Sequence, residues 1–393
     1  MNEPEVVERV HRFLVQDGLG GERIARLFTD PHPTLTGIAS LKPFQRFAIG
    51  DGDFVTHPDL LGQQVDSESL IAIEAKGSQD LPKGIGQAHA YLRGVQLSFL
   101  AAPASELNES LVAYAHSQGV GVLAVSDRVE TVYLPEARRP LNRLYNALIS
   151  DLGLAAWMSG AGTFVYNLPT HYLVWVAALR EHASVGLGEL ATVLGAYPMP
   201  RDVKAALAGA RKLGLVTVDG QTARLSDLGR AISCLLPTEL DEWSHIHRDL
   251  AAARGQLTLH IRAPQAAAVL RLLLLRDPIV QHAVEGLRIL PPSGANFPSL
   301  AQACSGIDRS KALIFFMKPE AVPSHDQAPG GHIDWFKVDG QDFRSTTFFQ
   351  YKSVLRHAGI LSPHALGGAT AASYQPLQDW WELTAEMLLA GGP

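Results

Sequence analysis

Apolar residues recur at helical spacing near the start of the chain. Val6, Val10, Phe13 and Leu14 predict an amphipathic helix that stops before Gly18 and the Gly20-Gly21 pair. After a stretch punctuated by Pro31, Pro33 and Pro43, the pattern changes to short runs at 54–61 and 70–75 that read as strands. A helix over 84–93, a strand over 96–101, a helix over 107–117 and a strand over 121–125 follow. Helices alternating with strands predict a mixed α/β layer fold for residues 1–135.

Residues 136–168 read as a connector, with one helix near 141–152 and then Gly160 and Gly162. From residue 169 to 236 the pattern is different. Helices over 171–182, 187–194 and 201–213 precede two short alternating runs, 215–218 and 222–225, joined by Asp219-Gly220. Asp-Gly between such runs signals a hairpin, and three helices closed by a hairpin make a winged helix. The remainder, 237–393, reads as mostly helical, with helices near 239–253, 264–275 and 346–357. It also holds a strand candidate at 313–316 and a Pro/Gly/His-rich loop at 319–331. YKSVLRHAGI at 351–360 echoes ALAGARKLGL at 206–215, so a second winged helix is an option there. The expected class is α/β: a mixed-sheet N-terminal domain followed by a winged-helix (α+β) region.

Composition narrows the function classes. The 393 residues are 47% apolar and 18% charged, enough for two or three cores and too little charge for a disordered chain. The greasiest window, 266–275, carries Arg271 and is too short for a bilayer, so no membrane association is expected. The opening MNEPEVVERV lacks the pattern of a signal peptide, and Cys234 and Cys304 have no CxxC partner, so a cytoplasmic location without disulfides is expected. Net charge is −6, with an acidic front and a mildly basic 166–236, which permits a polyanionic partner for the middle of the chain.

The chemistry concentrates in three pieces: His57-Pro58-Asp59-Leu60, Ile71-Ala72-Ile73-Glu74-Ala75-Lys76, and Gln87-Ala88-His89-Ala90-Tyr91. On a strand, Glu74 and Lys76 share one face. The apolar run before them makes a charged pair at the strand end costly unless it is used or paired. Asp59 lies upstream by the length of a loose hairpin and can sit on the neighbouring strand beside Glu74. Two converging carboxylates suit Mg²⁺ (or Mn²⁺), and a lysine beside the metal can orient or deprotonate a water and stabilise phosphate charge. Gln87 and Tyr91, four apart, project from one helix face.

At these residues the chain resembles the PD-(D/E)xK nuclease superfamily, with a restriction-endonuclease-like fold, and with Gln87-x-x-x-Tyr91 its RecB-like branch. The resemblance covers about residues 5–125. It implies that Asp59 and Glu74 bind a divalent metal, that Lys76 assists the attacking water, and that Gln87 and Tyr91 support the site. It also implies a first-helix acid, which Glu8 or Glu5 could supply. The RecB-like branch usually has Asp where Glu74 stands. In the winged-helix segment Arg201, Lys204, Arg211 and Lys212 lie on or near the third helix and Arg224 on the wing, suited to DNA phosphates and base edges.

The remaining polar residues read more plainly. His57 and His89 are polar fillers, His245 and His247 with Asp241 and Asp249 a solvated helix face, and His325, Asp326 and His332 part of a loop. The expectation is a metal-dependent DNA endonuclease acting in restriction or other defence, with a homodimer and a partner protein of a defence or mobile-element system as options. A repair, recombination or transposon-end nuclease, or a non-catalytic DNA-binding or assembly protein, are the alternatives.

Overall fold

The computed structural model describes every residue except 52–53, 160–163, 199, 326–332, 365–366, 369 and 390–393. The chain divides into two compact units, Met1–Ala156 with Lys318–Ile333, and Trp157–Met317 with Asp334–Pro393. Among the described residues no helix is long and apolar enough to cross a membrane.

In the first unit α1 (Glu3–Gln16) is started by Asn2, whose side chain accepts from the Glu5 N–H while Glu5 reaches back to the Asn2 N–H. Strand β1 (Ile24–Thr29) and the small hairpin of β2 (Ile49–Asp51) and β3 (Phe54–Thr56) come next. They are followed by β4 (Leu60–Gln64), β5 (Leu70–Ala75), α2 (Leu81–Tyr91), β6 (Leu97–Pro103), α3 (Glu109–Gln118), β7 (Gly121–Val125), β8 (Val129–Tyr133) and α4 (Asn142–Ser159).

Six of these strands form one mixed sheet in the order β1-β4-β5-β6-β7-β8. The β5–β6 and β6–β7 pairs are parallel and the others antiparallel. Alternation along the strands sends Ile71, Ile73, Ala75, Phe99 and Ala101 into a core with Val6, Val7, Val10 and Leu14 of α1. The opposite face, carrying Ala72, Glu74 and Leu100, is left for α2. That sorting places the polar end of β5 under a helix.

Strands β1 and β8 were not anticipated, because the edges of a sheet carry mixed polar sequences with little periodicity. Residues 136–168 do not behave as a free connector either. Arg138 N–H donates to Gln96 O and Leu141 N–H to Arg93 O, and a Cβ at Gly94 would lie 2.8 Å from Leu148 and 3.7 Å from Leu144. The first half of α4 therefore packs on the first unit, and Gly160 and Gly162 lie outside the described residues.

The second unit opens with α5 (Thr170–Ala178), β9 (Val185–Gly186), α6 (Leu190–Val193), α7 (Val203–Lys212), β10 (Val216–Asp219), β11 (Thr222–Leu225) and α8 (Asp227–Ile232). The three strands pair antiparallel in the order β10-β11-β9. Helices α9 (Leu240–Ala252), α10 (Leu259–Arg262) and α11 (Pro264–Leu274) follow, then α12 (Pro278–Arg288), β12 (Ala295–Asn296), α13 (Phe297–Ile307) and α14 (Arg309–Phe316). The run 313–316, expected as a strand, is the end of α14. An apolar run of four does not distinguish strand from buried helix, and the Asp308 side chain, accepting from the Lys311 N–H, starts a helix. The short helix α15 (Val322–His325) clusters with the first unit, and Asp326 and His332 lie outside the described residues. A π-helical turn, Thr347–Tyr351, leads into α16 (Lys352–His357), and β13 (Trp380–Trp381) and α17 (Ala385–Leu389) complete the chain.

The echo between 206–215 and 351–360 extends to the hydrogen bonds. Helix α7 ends at Gly214 (φ +74°) and α16 at Gly359 (φ +68°), a conformation glycine adopts without penalty. Leu215 N–H donates to Ala210 O and Ile360 N–H to Leu355 O, each at 3.0 Å. Leu215 O then accepts from Ser226 N–H at 3.0 Å, and Ile360 O from Thr384 N–H at 3.1 Å. The Ser226 and Thr384 hydroxyls donate back to Gly214 O and Gly359 O, immediately before α8 and α17. Leu361 bridges to Leu383 and Ala295 pairs with Trp381, repeating the strand order of the first copy.

The copies differ in exposure. Arg201, Lys204 and Arg211 are exposed, whereas no residue of 347–357 is. In the second copy Lys352 is turned inward to Asp379 (2.5 Å), which also accepts from Tyr374, Trp381 and the Gly367 N–H.

Candidate active site

The antiparallel register Leu60↔Ile73, continued by one position, sets Asp59 opposite Glu74. Asp59 is held on two sides. Its carbonyl accepts from the Asp30 N–H at 2.8 Å, and its Oδ2 accepts from the Ala75 N–H at 2.7 Å. The side chain therefore turns towards β5, where Glu74, 2% exposed, lies on the α2 face. Lys76, on the same face, places Nζ 2.6 Å from Glu74 Oε1.

Helix α2 supplies the roof. A Cβ at Gly84 would fall 2.9 Å from Lys76 Cγ and 2.8 Å from Leu100 Cδ1, so glycine is what lets the helix lie over the lysine stem. Two turns on, the Tyr91 hydroxyl sits between the His57 carbonyl (2.8 Å) and Glu74 Oε2. Gln87 Oε1 is buried with no hydrogen-bond partner among the described residues.

The electrostatics follow from this crowding. Burial, and then the charge of Glu74, push the Asp59 carboxyl well above the ordinary carboxylate range. Burial also raises Glu74, against the opposing pull of Lys76. Burial works against the Lys76 ammonium, but Glu74, Asp59 and Glu3 outweigh it and hold its pKa above the ordinary lysine value. Lys76 is thus a cation here and not a ready proton acceptor. Burial and then Glu74 drive the Tyr91 hydroxyl well up, so it remains a donor.

Glu74, which is buried, and Asp59, which is partly buried, are both raised above the ordinary carboxylate range, and with the Gln87 amide oxygen on the helix above they offer hard oxygen donors that a divalent cation would satisfy. Hard oxygen donors and few protein ligands are what Mg²⁺ takes. Among the described residues no group of three or more His, Cys, Asp or Glu is arranged to hold a metal, so Asp59 and Glu74 would act as a pair.

The acid of the first helix that approaches this site is Glu3, whose Oε2 lies 3.7 Å from Lys76 Nζ. Glu8 is instead engaged by Arg12 and Ser40, and Glu5 closes the N-terminal cap of α1. The sequence pointed to Glu8 or Glu5 for this acid, whereas Glu3, the first residue of α1, is the one that reaches Lys76 at the end of β5. An open cleft of about 540 Å³ lies there, bordered by Glu3, Lys76, Gly77, Asp80 and Lys83.

Two further residues beside the site went unnoticed in the sequence. Asp30 is buried and gripped by Arg46 through Nε–Oδ1 (2.8 Å) and Nη2–Oδ2 (2.7 Å). No short motif links them; only the pairing of β1 with β4 brings Asp30 beside Asp59. His57 Nδ1 faces Phe47 O at 3.0 Å and His89 Nδ1 faces Gln118 O at 2.9 Å, so each spends that nitrogen on the main chain.

In the second unit Arg224 is exposed on β11, with its Nε 3.3 Å from Thr217 Oγ1. Lys212 departs from the expectation of a surface contact. Its side chain is 1% exposed, with Nζ 5.5 and 5.1 Å from the ring centres of Phe164 and Tyr351 and 4.0 Å from Asp277. Burial lowers its pKa to about 8. It cannot meet DNA because it lies on the buried stripe of α7 with Ala206, Gly209 and Ala210. His247 also points inward, to Thr170 Oγ1 (2.9 Å) and the Tyr197 hydroxyl (3.1 Å), rather than joining His245 on a solvated face.

Comparison of the chain with protein-family models, with curated proteins and with solved structures gave no match in any of the three.

Proposed function

We propose that the chain is a divalent-cation-dependent DNA endonuclease of the PD-(D/E)xK type, joined to two winged-helix repeats. The observation that carries this reading is the meeting of Asp59, Glu74 and Lys76 at the end of β5, with Asp59 tied to the Ala75 N–H and Lys76 to Glu74. A bound Mg²⁺ would be held by Asp59 and Glu74, and would supply Lewis-acid polarisation of the phosphate and a more acidic water. The reaction is hydrolysis: a water oxygen bonds to phosphorus and gives up a proton to solvent, the P–O bond to the leaving group breaks, and the leaving oxygen takes a proton from solvent, so that one water is added in all.

The chain's own residues have defined parts. Lys76, charged and fixed by Glu74, orients the water and offsets negative charge that builds on the phosphate oxygens. Gln87 Oε1 is an acceptor for a water of the site, and Tyr91 holds the Glu74 carboxylate in place. Glu3, half-exposed at the cleft, is the first-helix acid of this reading.

The second unit supports a nucleic-acid partner through its first repeat alone. There the exposed Arg201, Lys204, Arg211 and Arg224 offer phosphate contacts, which the second repeat lacks on 347–357. Restriction-type defence is the proposed role, since the joining of such a nuclease to a DNA-reading module is typical of restriction-type enzymes. The test is incubation with supercoiled and linear DNA, with and without Mg²⁺ or Mn²⁺, beside Glu74→Ala and Lys76→Ala. Cation-dependent cleavage lost in both variants supports the reading; cleavage that survives both, or none under any condition, removes it.

A further inference from the structure

Residues 43–47 reach both carboxylates of the site by separate routes. The segment is fixed beside β1, since Thr29 N–H donates to Pro43 O (3.2 Å) and Gln45 N–H to Thr29 O (3.0 Å). Phe44 and Phe47 are buried, the latter edge-on to Phe28. The first route runs from the Arg46 guanidinium to the Asp30 carboxylate, and from the Asp30 N–H to the Asp59 carbonyl at 2.8 Å. The second runs from Phe47 O to the His57 ring, from the His57 carbonyl to the Tyr91 hydroxyl, and from Tyr91 to Glu74.

We infer that Arg46, acting through Asp30, is a positioning residue for the metal carboxylates, in particular for Asp59. The inference rests on the metal-site reading above. Asp30, Asp59 and Glu74 occupy adjoining positions across β1, β4 and β5, and residues directly opposite on neighbouring strands point to one face. An Asp30 carboxylate without its cation would add a third negative charge to that row. The planar Arg46 fork both neutralises it and fixes its direction, and a two-point grip also fixes the main chain on which Asp59 hangs. Partners one step removed from a metal ligand commonly set its orientation and the affinity of the site.

The test measures Mn²⁺ affinity of the full chain by calorimetry without DNA, and kcat and KM for cleavage of linear DNA. Arg46→Met is expected to weaken Mn²⁺ binding by about 10–100-fold and to lower kcat, with KM for DNA unchanged. Arg46→Lys keeps the charge without the fork and is expected to recover only part of the loss. Val10→Ala trims the α1 side of the core, touches neither route, and is expected to lower stability while leaving Mn²⁺ affinity intact. Arg46→Met binding Mn²⁺ as tightly as wild type, or Val10→Ala weakening it equally, overturns the positioning role alone. A wild-type chain that binds no Mn²⁺ overturns the metal-site reading and this role with it.

Discussion

Replacing Asp59 by asparagine separates what the site costs the fold from what it does. Asparagine keeps an oxygen for the Ala75 N–H, so the join between β4 and β5 survives. It removes a charge that burial and Glu74 both disfavour. Relief of such a functional strain typically stabilises by about 0.5–2 kcal/mol. A unit of this size shifts by about 2–4 °C per kcal/mol, so the metal-free variant should melt roughly 1–8 °C above wild type. A cation at a hundred times its Kd stabilises the wild-type fold by about 2.7 kcal/mol, or roughly 5–10 °C. Excess Mn²⁺ should therefore reverse the order, raising wild type past a variant that does not respond. Thermal melts with and without Mn²⁺, read alongside hydrogen exchange of the β4 and β5 peptides, measure this. A variant that is less stable without metal, or that gains as much from Mn²⁺ as wild type, refutes the reasoning.

Lys76→Ala should lower kcat by about 10²–10³-fold with the chain still folded, measured in single-turnover cleavage beside circular dichroism. Gly84→Ala pushes a methyl group into Lys76 and Leu100, so it should cost about 1–3 kcal/mol in urea melts and reduce cleavage as well. Asp59 and Glu74 both titrate above the ordinary carboxylate range, so the metal-free fold binds their protons more tightly than the unfolded chain does. Their contribution to stability is thus fully present below the ordinary carboxylate pKa, is lost as pH rises towards the raised values, and is flat beyond. Cleavage should run the other way, rising with pH through that window; a rate already maximal below it would contradict the assignment. Lys204→Ala and Arg211→Ala should each flatten the salt dependence of DNA binding by about one unit of slope, while Lys212→Met should leave it unchanged in the same gel-shift series.

The sequence carried the centre of the site because its signals are local. Glu74 and Lys76 share a face by strand alternation, and Gln87 and Tyr91 share one by helix geometry, so neither pair needs tertiary information. The hairpin spacing from Asp59 was enough to suggest the third partner. What escaped depends on which elements become neighbours. Glu3 reaches Lys76 only because α1 starts at the end of β5, against Gly77, and the apolar stripe of α1 says nothing about that. Asp30 and Arg46 meet only after β1 adds to the sheet edge. Lys212 misled because a lysine beside an arginine on a basic helix reads as surface, whereas its ammonium faces the rings of Phe164 and Tyr351, contributed from far along the chain. The echo at 351–360 does coincide with a helix end that matches that of α7 in its glycine and its hydrogen bonds. It could not reveal that the second copy is walled in.

The central claim is that Asp59 and Glu74 together hold a divalent cation, and anomalous diffraction from crystals soaked in Mn²⁺ tests it most directly. The account predicts a peak bound by one oxygen of each carboxylate, close to Lys76 and absent in Asp59→Asn. No peak there at saturating Mn²⁺, or one that persists in the variant, would contradict it.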